Sequence, residues 1–146
     1  MEIDYNKLVK NDCGCLEEIK EALGIPCNFK AGKVIGRVLH TLRSSLTYSE
    51  SADLIQLLPD PVKIIYVSDW RLKTPRIELR HLDDFVREVM RNDKMHAEQV
   101  LSNEVTALKA VITTVRIINK YIGILSYNFF KYPLKQELEE AMFEAA

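Results

Sequence analysis

The residues from Lys33 to Pro59, KVIGRVLHTLRSSLTYSESADLIQLLP, predict two consecutive amphipathic helices. In the first part, apolar residues recur at the spacing of one face of a 3.6-residue helix; they are Val34, Ile35, Val38, Leu39, Leu42 and Leu46. Thr47 to Glu50 then form a capping-box motif, in which each of the two end side chains accepts a hydrogen bond from the other residue's backbone N–H. Pro59 and Pro61 end the second helix, because proline lacks an N–H donor and disfavours helix in the residue before it. The stretch therefore predicts an αα-hairpin.

The composition is that of a soluble globular domain. The chain has 146 residues, of which 47% are hydrophobic and 28% charged, and its formal net charge is −1. This length is enough for one domain with a single core. The apolar runs are far shorter than the roughly 20 residues that a membrane span needs, and no basic and apolar leader follows Met1. We therefore expect a cytoplasmic protein without membrane association, and the balanced charge argues against nucleic acid as a partner.

The three cysteines, Cys13, Cys15 and Cys27, predict reduced thiols, because their number is odd and no export signal precedes them. A structural zinc site normally combines two separate pairs of ligands, and the sequence has neither a Cys-x-x-Cys motif nor a matching histidine pair. We therefore expect no metal and no cofactor.

The segment from Val62 to Val67 leaves helix and strand as alternatives. Its β-branched and aromatic residues favour a strand. Asp60 before Pro61 is typical of a helix N-cap followed by proline, and a single strand would have nothing to pair with. Helix is the favoured interpretation. Further helices are predicted for Leu16–Leu23 (ended by Gly24), from near Leu82, for Met95–Thr113, for Thr114–Leu125 and for Gln136–Phe143.

The two halves of the chain show an internal similarity. When the sequence is shifted so that Leu16 meets Leu82, apolar positions stay aligned through three helices and two loops, and Thr47 meets Thr113. Two helical units of this kind would bury their apolar faces against each other. The prediction is a single all-α domain, a helical bundle built from two pseudo-symmetric repeats of three to four helices. Its segments are repeat one at about 16–70, a basic linker at 71–81, repeat two at about 82–133 and a C-terminal helix at 134–146.

The basic linker is the candidate partner surface. Its residues, with the tryptophan before it, are Trp70, Arg71, Lys73, Arg76 and Arg80. A basic loop beside an exposed aromatic ring is typical of a surface that binds a phosphate backbone or an acidic protein. The alternative is a solvated loop with Trp70 buried as an anchor, and the balanced charge of the chain favours it. The aromatic residues Tyr127, Phe129, Phe130 and Tyr132 could likewise form a partner surface, but a core role is favoured, as is a structural role for His40.

Four sequence blocks resemble the bacterial domain of unknown function 2267 family. They are Val38–Thr47, Glu50–Leu54, Gln56–Pro59 and the segment from Ile65–Tyr66 to Trp70. The resemblance extends over about residues 16–143. It implies an all-α two-repeat fold in a small bacterial cytosolic protein, and it supplies no activity, ligand or catalytic residue.

The motif search gives no catalytic residue. The sequence lacks a glycine-rich phosphate loop, a Gly-x-Ser-x-Gly elbow and a His-Glu-x-x-His motif. The favoured function is a non-catalytic protein-interaction or self-association module, with a second copy or another protein as partner. One alternative is a nucleic-acid or acidic-partner binder that uses the loop 71–81. The other is an unrecognised enzyme with a pocket at the seam between the repeats.

Overall fold

The computed structural model describes residues 3–10, 14–70, 75–94, 100–101 and 103–145. Within these ranges the chain is helical and contains no strand, which confirms the all-α prediction. The helices are α1 (Tyr5–Lys10), α2 (Cys15–Leu23), α3 (Asn28–Ser45), α4 (Tyr48–Leu57), α5 (Asp60–Val67), α6 (Leu82–Lys94), α7 (Glu104–Ile122) and α8 (Leu134–Ala145), with a 3₁₀ turn at Ile124–Ser126. In the part of the chain searched, no helix combines the length and the apolar character needed to cross a bilayer.

The hairpin of α3 and α4 is formed as predicted. The Thr47 side chain accepts a hydrogen bond from the backbone N–H of Glu50, and the Glu50 side chain accepts one from the backbone N–H of Thr47, at 3.1 and 2.9 Å. These bonds satisfy N–H groups that the first turn of a helix leaves without partners. Gly24 ends α2 in the left-handed conformation, with φ of 69°, as the sequence predicts.

The segment from Val62 to Val67 is helical, which confirms the favoured interpretation. It belongs to α5, which begins at Asp60 and has Pro61 in its first turn. Val62, Ile65 and Tyr66 are buried, and the last two follow Val62 by three and four residues, so they share the helix face that packs against the rest of the protein. Burial of this face outweighs the intrinsic strand preference of the β-branched residues.

The predicted break at Thr113 and Thr114 is wrong. Helix α7 runs through both residues, whose side chains are buried, and it ends at Gly123 with φ of 66°. Its N-cap is Asn103, whose side chain accepts from the backbone N–H of Thr106 at 2.9 Å. The cap at Asn103 places the helix start about two turns after Met95, which itself lies outside the described residues. The shift that aligns Leu16 with Leu82 also aligns Thr47, at the α3–α4 junction, with Thr113 in the middle of α7. The two halves therefore differ at this point, and the repeat stays a prediction.

A hydrophobic cluster of described residues connects the helices, with α3 and α7 at its centre. Helix α3 contacts α2, α5, α6 and α7, and α7 also contacts α2, α6 and α8. Each large apolar side chain that is fully buried contributes about 1.5–3 kcal/mol. The largest fully buried side chains are Tyr66, Phe85, Leu16, Ile19, Ile35, Leu39, Leu42, Leu54, Ile65, Ile117, Ile118 and Ile124.

One ion pair lies inside this core. The Arg37 Nε of α3 donates to Asp93 Oδ1 of α6 at 3.2 Å, and the two side chains are only 4% and 3% exposed. Asp93 also accepts from the backbone N–H groups of Val100 and Leu101, at 3.1 and 2.9 Å. Because the carboxylate has three donors, its burial is compensated. Asp93 thus joins α3, α6 and the segment that leads to α7.

Candidate functional site

A groove of about 580 Å³ lies between α4 and the segment 127–131, which connects the 3₁₀ turn to α8. This volume is within the range of about 300–1,000 Å³ that is usual for ligand-binding clefts. We call it the α4 groove. Its lining residues are Glu50, Asp53, Gln56 and Leu57 on α4, and Tyr127, Asn128, Phe129 and Lys131 on the facing segment.

The α4 wall presents two carboxylates and one apolar side chain. Glu50, Asp53 and Leu57 follow each other at intervals of three and four residues, so they lie on one side of the helix. The Cβ atoms of residues at such spacing are about 5–6 Å apart. Leu57 is half-buried and Asp53 is exposed. The capping box at Thr47 fixes where α4 begins, and with it which residues face the groove.

The facing wall is held by buried aromatic rings. Phe129 and Phe130 are 6% and 2% exposed, which confirms the predicted core role for this pair. For Tyr127 and Tyr132 that prediction is wrong, because they are 42% and 68% exposed. The ring of Tyr127 lies 5.7 Å from that of Phe129 between centroids, so an exposed tyrosine is supported by a buried phenylalanine at the edge of the groove. The two phenylalanines are buried in the core, and the tyrosines lie at the surface, where their polar hydroxyls need no partner inside the protein.

The two carboxylates of the groove have different surroundings. Lys131 Nζ donates to Glu50 Oε2 and to the Asn128 carbonyl, both at 2.8 Å, while Glu50 Oε1 accepts from the Thr47 N–H. Partial burial raises the pKa of Glu50, but the hydrogen bonds from Lys131 and Thr47 outweigh this effect and leave the pKa below its usual value. Asp53 is exposed, and among the residues that the structure describes it takes part in no ion pair. It is therefore the carboxylate that is open to a cationic ligand.

Trp70, the aromatic residue of the predicted partner surface, is half-buried against other side chains. Its ring centroid lies 6.1 Å from that of Tyr66 and 6.3 Å from that of Tyr48. The Arg43 guanidinium lies 5.2 Å from the same ring. These contacts use much of the ring for packing against α3, α4 and α5.

The basic residues of that surface are described only in part. Arg71 and Lys73 lie outside the described residues. Arg76 and Arg80 are exposed, and Arg80 Nε pairs with Glu78 Oε1 at 3.4 Å. Two well-exposed side chains of this kind contribute little to stability, so the pair leaves Arg80 available to other anions.

The largest pKa shifts occur where α3 packs against α5. His40 Nε2 donates to the Ile65 carbonyl at 2.8 Å, and burial together with the nearby Arg43 charge lowers the pKa of His40 to about 4. Arg43 donates to the carbonyls of Tyr66 and Ser68 at 2.6 and 2.8 Å, and burial lowers its pKa to about 10. Arg43 thus caps the C-terminal end of α5, where a positive charge is favourable.

Tyr66 completes this cluster with a buried hydroxyl. Its Oη lies 2.8 Å from Ser51 Oγ of α4, and burial raises the pKa of Tyr66 to about 12. His40, Arg43 and Tyr66 are therefore joined to neighbouring helices by their polar atoms, and none of them lines the α4 groove. The structural role predicted for His40 agrees with these contacts.

The described residues offer no set of metal ligands. Within the ranges given above, no three histidine, cysteine, aspartate or glutamate side chains cluster as ligands of an ion would. Cys15 is buried and Cys27 is exposed, while Cys13 lies outside the described residues.

These features define an all-α protein with a small acidic and aromatic groove. The model of the family described as "Uncharacterized conserved protein (DUF2267)" matches residues 14–118, and the chain belongs to this family. The match begins just before α2, includes the α4 wall of the groove and ends within α7, so the facing wall at 127–131 lies beyond it. A search of curated proteins gave no significant match.

Proposed function

We propose that this chain is a non-catalytic protein-interaction module that binds a short segment of a partner protein in the α4 groove. The observation that supports this proposal is the composition of the groove, in which the carboxylates of Glu50 and Asp53 lie beside apolar Leu57 and the exposed ring of Tyr127. Such a surface is complementary to a segment that carries a basic side chain next to an apolar one. The Tyr127 ring and Leu57 supply apolar contact, and the carboxylates favour a positively charged side chain on the partner.

The charge of the groove decides between classes of partner. Glu50 is already paired with Lys131, so Asp53 supplies the net negative charge of the lining. A phosphate backbone or an acidic peptide would be repelled there, whereas an arginine or lysine would be attracted. An ion pair at an exposed carboxylate is worth about 0–1 kcal/mol, so most of the affinity must come from apolar contact with Leu57 and Tyr127. We expect weak and reversible binding.

The structural roles of the perturbed residues support a non-catalytic module over an enzyme. Strongly shifted pKa values often mark catalytic groups. Here His40, Arg43 and Tyr66 owe their shifts to burial between α3, α4 and α5, where they bond to neighbouring backbone and side-chain atoms. We also propose a cytoplasmic location, which the exposed thiol of Cys27 supports, because exposed thiols persist in reducing compartments.

Selection from a phage-displayed library of random peptides tests the proposal. Enriched peptides should carry arginine or lysine beside an apolar residue. Compared with wild type, they should bind Leu57→Arg at least about tenfold more weakly and Asp53→Asn about threefold more weakly. Glu139→Gln, an exposed charge change on α8 outside the groove lining, should bind them normally. Thermal unfolding of each variant checks that it is folded.

Two results would overturn the proposal. Enriched peptides without a basic residue, or peptides that bind Leu57→Arg as well as wild type, would show that the groove is not the site. Sedimentation of the wild type as a dimer that Leu57→Arg converts to a monomer would assign the groove to self-association instead.

The basic segment 71–81 supports a second proposal, an acidic partner or a nucleic acid. Its support is the exposure of Arg76 and Arg80 in the described part of this segment. Retention on immobilised DNA or RNA that falls with salt, and that disappears when Arg71, Lys73 and Arg76 are neutralised together, would favour it. Retention unaffected by these substitutions would exclude this segment as the site.

A further inference from the structure

We propose that Lys131 allows only one basic side chain of a partner segment to add to the affinity for the α4 groove, because it pairs with Glu50 and leaves Asp53 as the available carboxylate. This inference rests on the proposed function and concerns the specificity of the same groove. In this proposal, Lys131 competes with the second basic side chain of a partner for the carboxylate of Glu50.

The hydrogen bonds of Glu50 are the first evidence. Both of its carboxylate oxygens are in use, Oε1 for the Thr47 N–H at 2.9 Å and Oε2 for Lys131 Nζ at 2.8 Å. Lys131 is held in turn by the Asn128 carbonyl at 2.8 Å, so its ammonium is bound from two directions at the wall of the groove. A cation from a partner that approaches Glu50 Oε2 meets a charge that this ammonium already neutralises, and it must compete with the ammonium for that oxygen.

The position of Asp53 is the second piece of evidence. It lies one helical turn after Glu50 on the same side of α4 and lines the same groove. Without Lys131 the groove would present two adjacent carboxylates, a pair that suits a segment with two basic side chains. With Lys131 in place, one of these positions is filled by a charge that belongs to the chain itself and is therefore present at a high effective concentration.

The exposure of the ion pair sets the size of the effect. The Lys131 side chain is 60% exposed and that of Glu50 is 27% exposed, so the pair is partly screened by water. Such a competitor is displaced at modest cost, and its removal is expected to improve the binding of a second cation about two- to fivefold. Lys131 therefore tunes selectivity rather than blocking the groove.

The test uses two labelled peptides from the selection described above, identical except at one position. One carries two arginines. In the other, which we call the one-arginine peptide, the second arginine is replaced by the neutral isostere citrulline. Fluorescence anisotropy gives the Kd of each peptide. For wild type the two Kd values should agree within about twofold, whereas for Lys131→Met the two-arginine peptide should bind about two- to fivefold more tightly than the one-arginine peptide.

Two controls separate the local effect from general ones. Lys109→Met makes the same charge change at an exposed site on α7 outside the groove lining, and it should leave the ratio of the two Kd values as in wild type. Adding Glu50→Gln to Lys131→Met should return the ratio to the wild-type value. Glutamine can still accept from the Thr47 N–H, so the capping box is retained while the charge is lost.

The possible failures are distinguishable. An unchanged ratio in Lys131→Met, or a raised ratio that Glu50→Gln does not reverse, would overturn the role of Lys131. The proposed function would stand in either case if the one-arginine peptide binds wild type and Asp53→Asn weakens it. Failure of both peptides to bind wild type would overturn the proposed function and this inference together.

Discussion

The buried ion pair between Arg37 and Asp93 predicts a large loss of stability when Asp93 is replaced by alanine. The substitution removes the carboxylate that accepts from Arg37 Nε and from the backbone N–H groups of Val100 and Leu101. Arg37 has only 4% of its side chain exposed, so water cannot fully replace the lost carboxylate. Breaking a buried pair by removing one partner typically costs about 3–5 kcal/mol, because the remaining charge stays buried.

A loss of this size is a large share of the stability of a small protein, which is about 5–15 kcal/mol in total. The free energy of unfolding from urea denaturation measures it. The matched control is Glu78→Ala, which removes one partner of the ion pair with Arg80. Those side chains are 78% and 72% exposed, so the control should cost no more than about 1 kcal/mol.

A second variant tests the reason for the loss. Replacing Arg37 by methionine and Asp93 by leucine together removes both charges of this pair from the core, so the double variant should be more stable than Asp93→Ala alone. A cost below about 1 kcal/mol for Asp93→Ala would refute the reasoning, since it would mean that the pair is hydrated or that its partners find other acceptors.

Three further predictions concern pH, the N-terminal helix and the hairpin. The pKa of His40 is about 4 in the folded chain against 6.5 normally, so between these values the unfolded chain binds a proton that the folded chain does not. The contribution of His40 to the free energy of unfolding is therefore complete above pH 6.5 and is lost as the pH falls toward 4. When the pH is lowered from about 7 to 4.5, the free energy of unfolding from urea denaturation should fall by about 2–3 kcal/mol more in wild type than in His40→Gln. Equal decreases in the two proteins would contradict this prediction. In Gly32→Ala the new methyl group would overlap the Tyr5 ring, so α1 should detach and its amides should lose hydrogen-exchange protection; retained protection would show that the ring can move aside at little cost. Thr47→Ala should cost about 1 kcal/mol through loss of the N-cap, and an unchanged melting temperature would show that the capping box does not stabilise α4.

The parts of the fold that follow from local chemistry could be predicted from the sequence. The capping box at Thr47 and the left-handed end at Gly24 are decided by a few neighbouring residues, and both are present in the structure. The predicted break at Thr113 and Thr114 failed because threonine is compatible both with a helix cap and with a buried helix interior. No glutamate follows Thr113 at the third position, where the sequence has Arg116, so half of the capping box was missing.

The α4 groove could not be predicted from the sequence, because its two walls are far apart along the chain. Asp53 and Leu57 carry no signal beyond the amphipathic pattern of α4. Tyr127 was predicted to be in the core with its aromatic neighbours, and only the packing of Phe129 and Phe130 decides which rings remain outside. The nearest available signal was the spacing of Glu50 and Asp53, which places two acidic side chains on one side of a helix.

Chemical-shift mapping with the one-arginine peptide tests the groove most directly. In ¹H–¹⁵N spectra of the labelled protein, addition of the peptide should shift the amide signals of Asp53, Leu57, Tyr127 and Asn128 most strongly, and Asp53→Asn should reduce these shifts at the same peptide concentration. Shifts centred on Arg76 and Arg80, or an unchanged spectrum at peptide concentrations far above that of the protein, would contradict a partner site in the α4 groove.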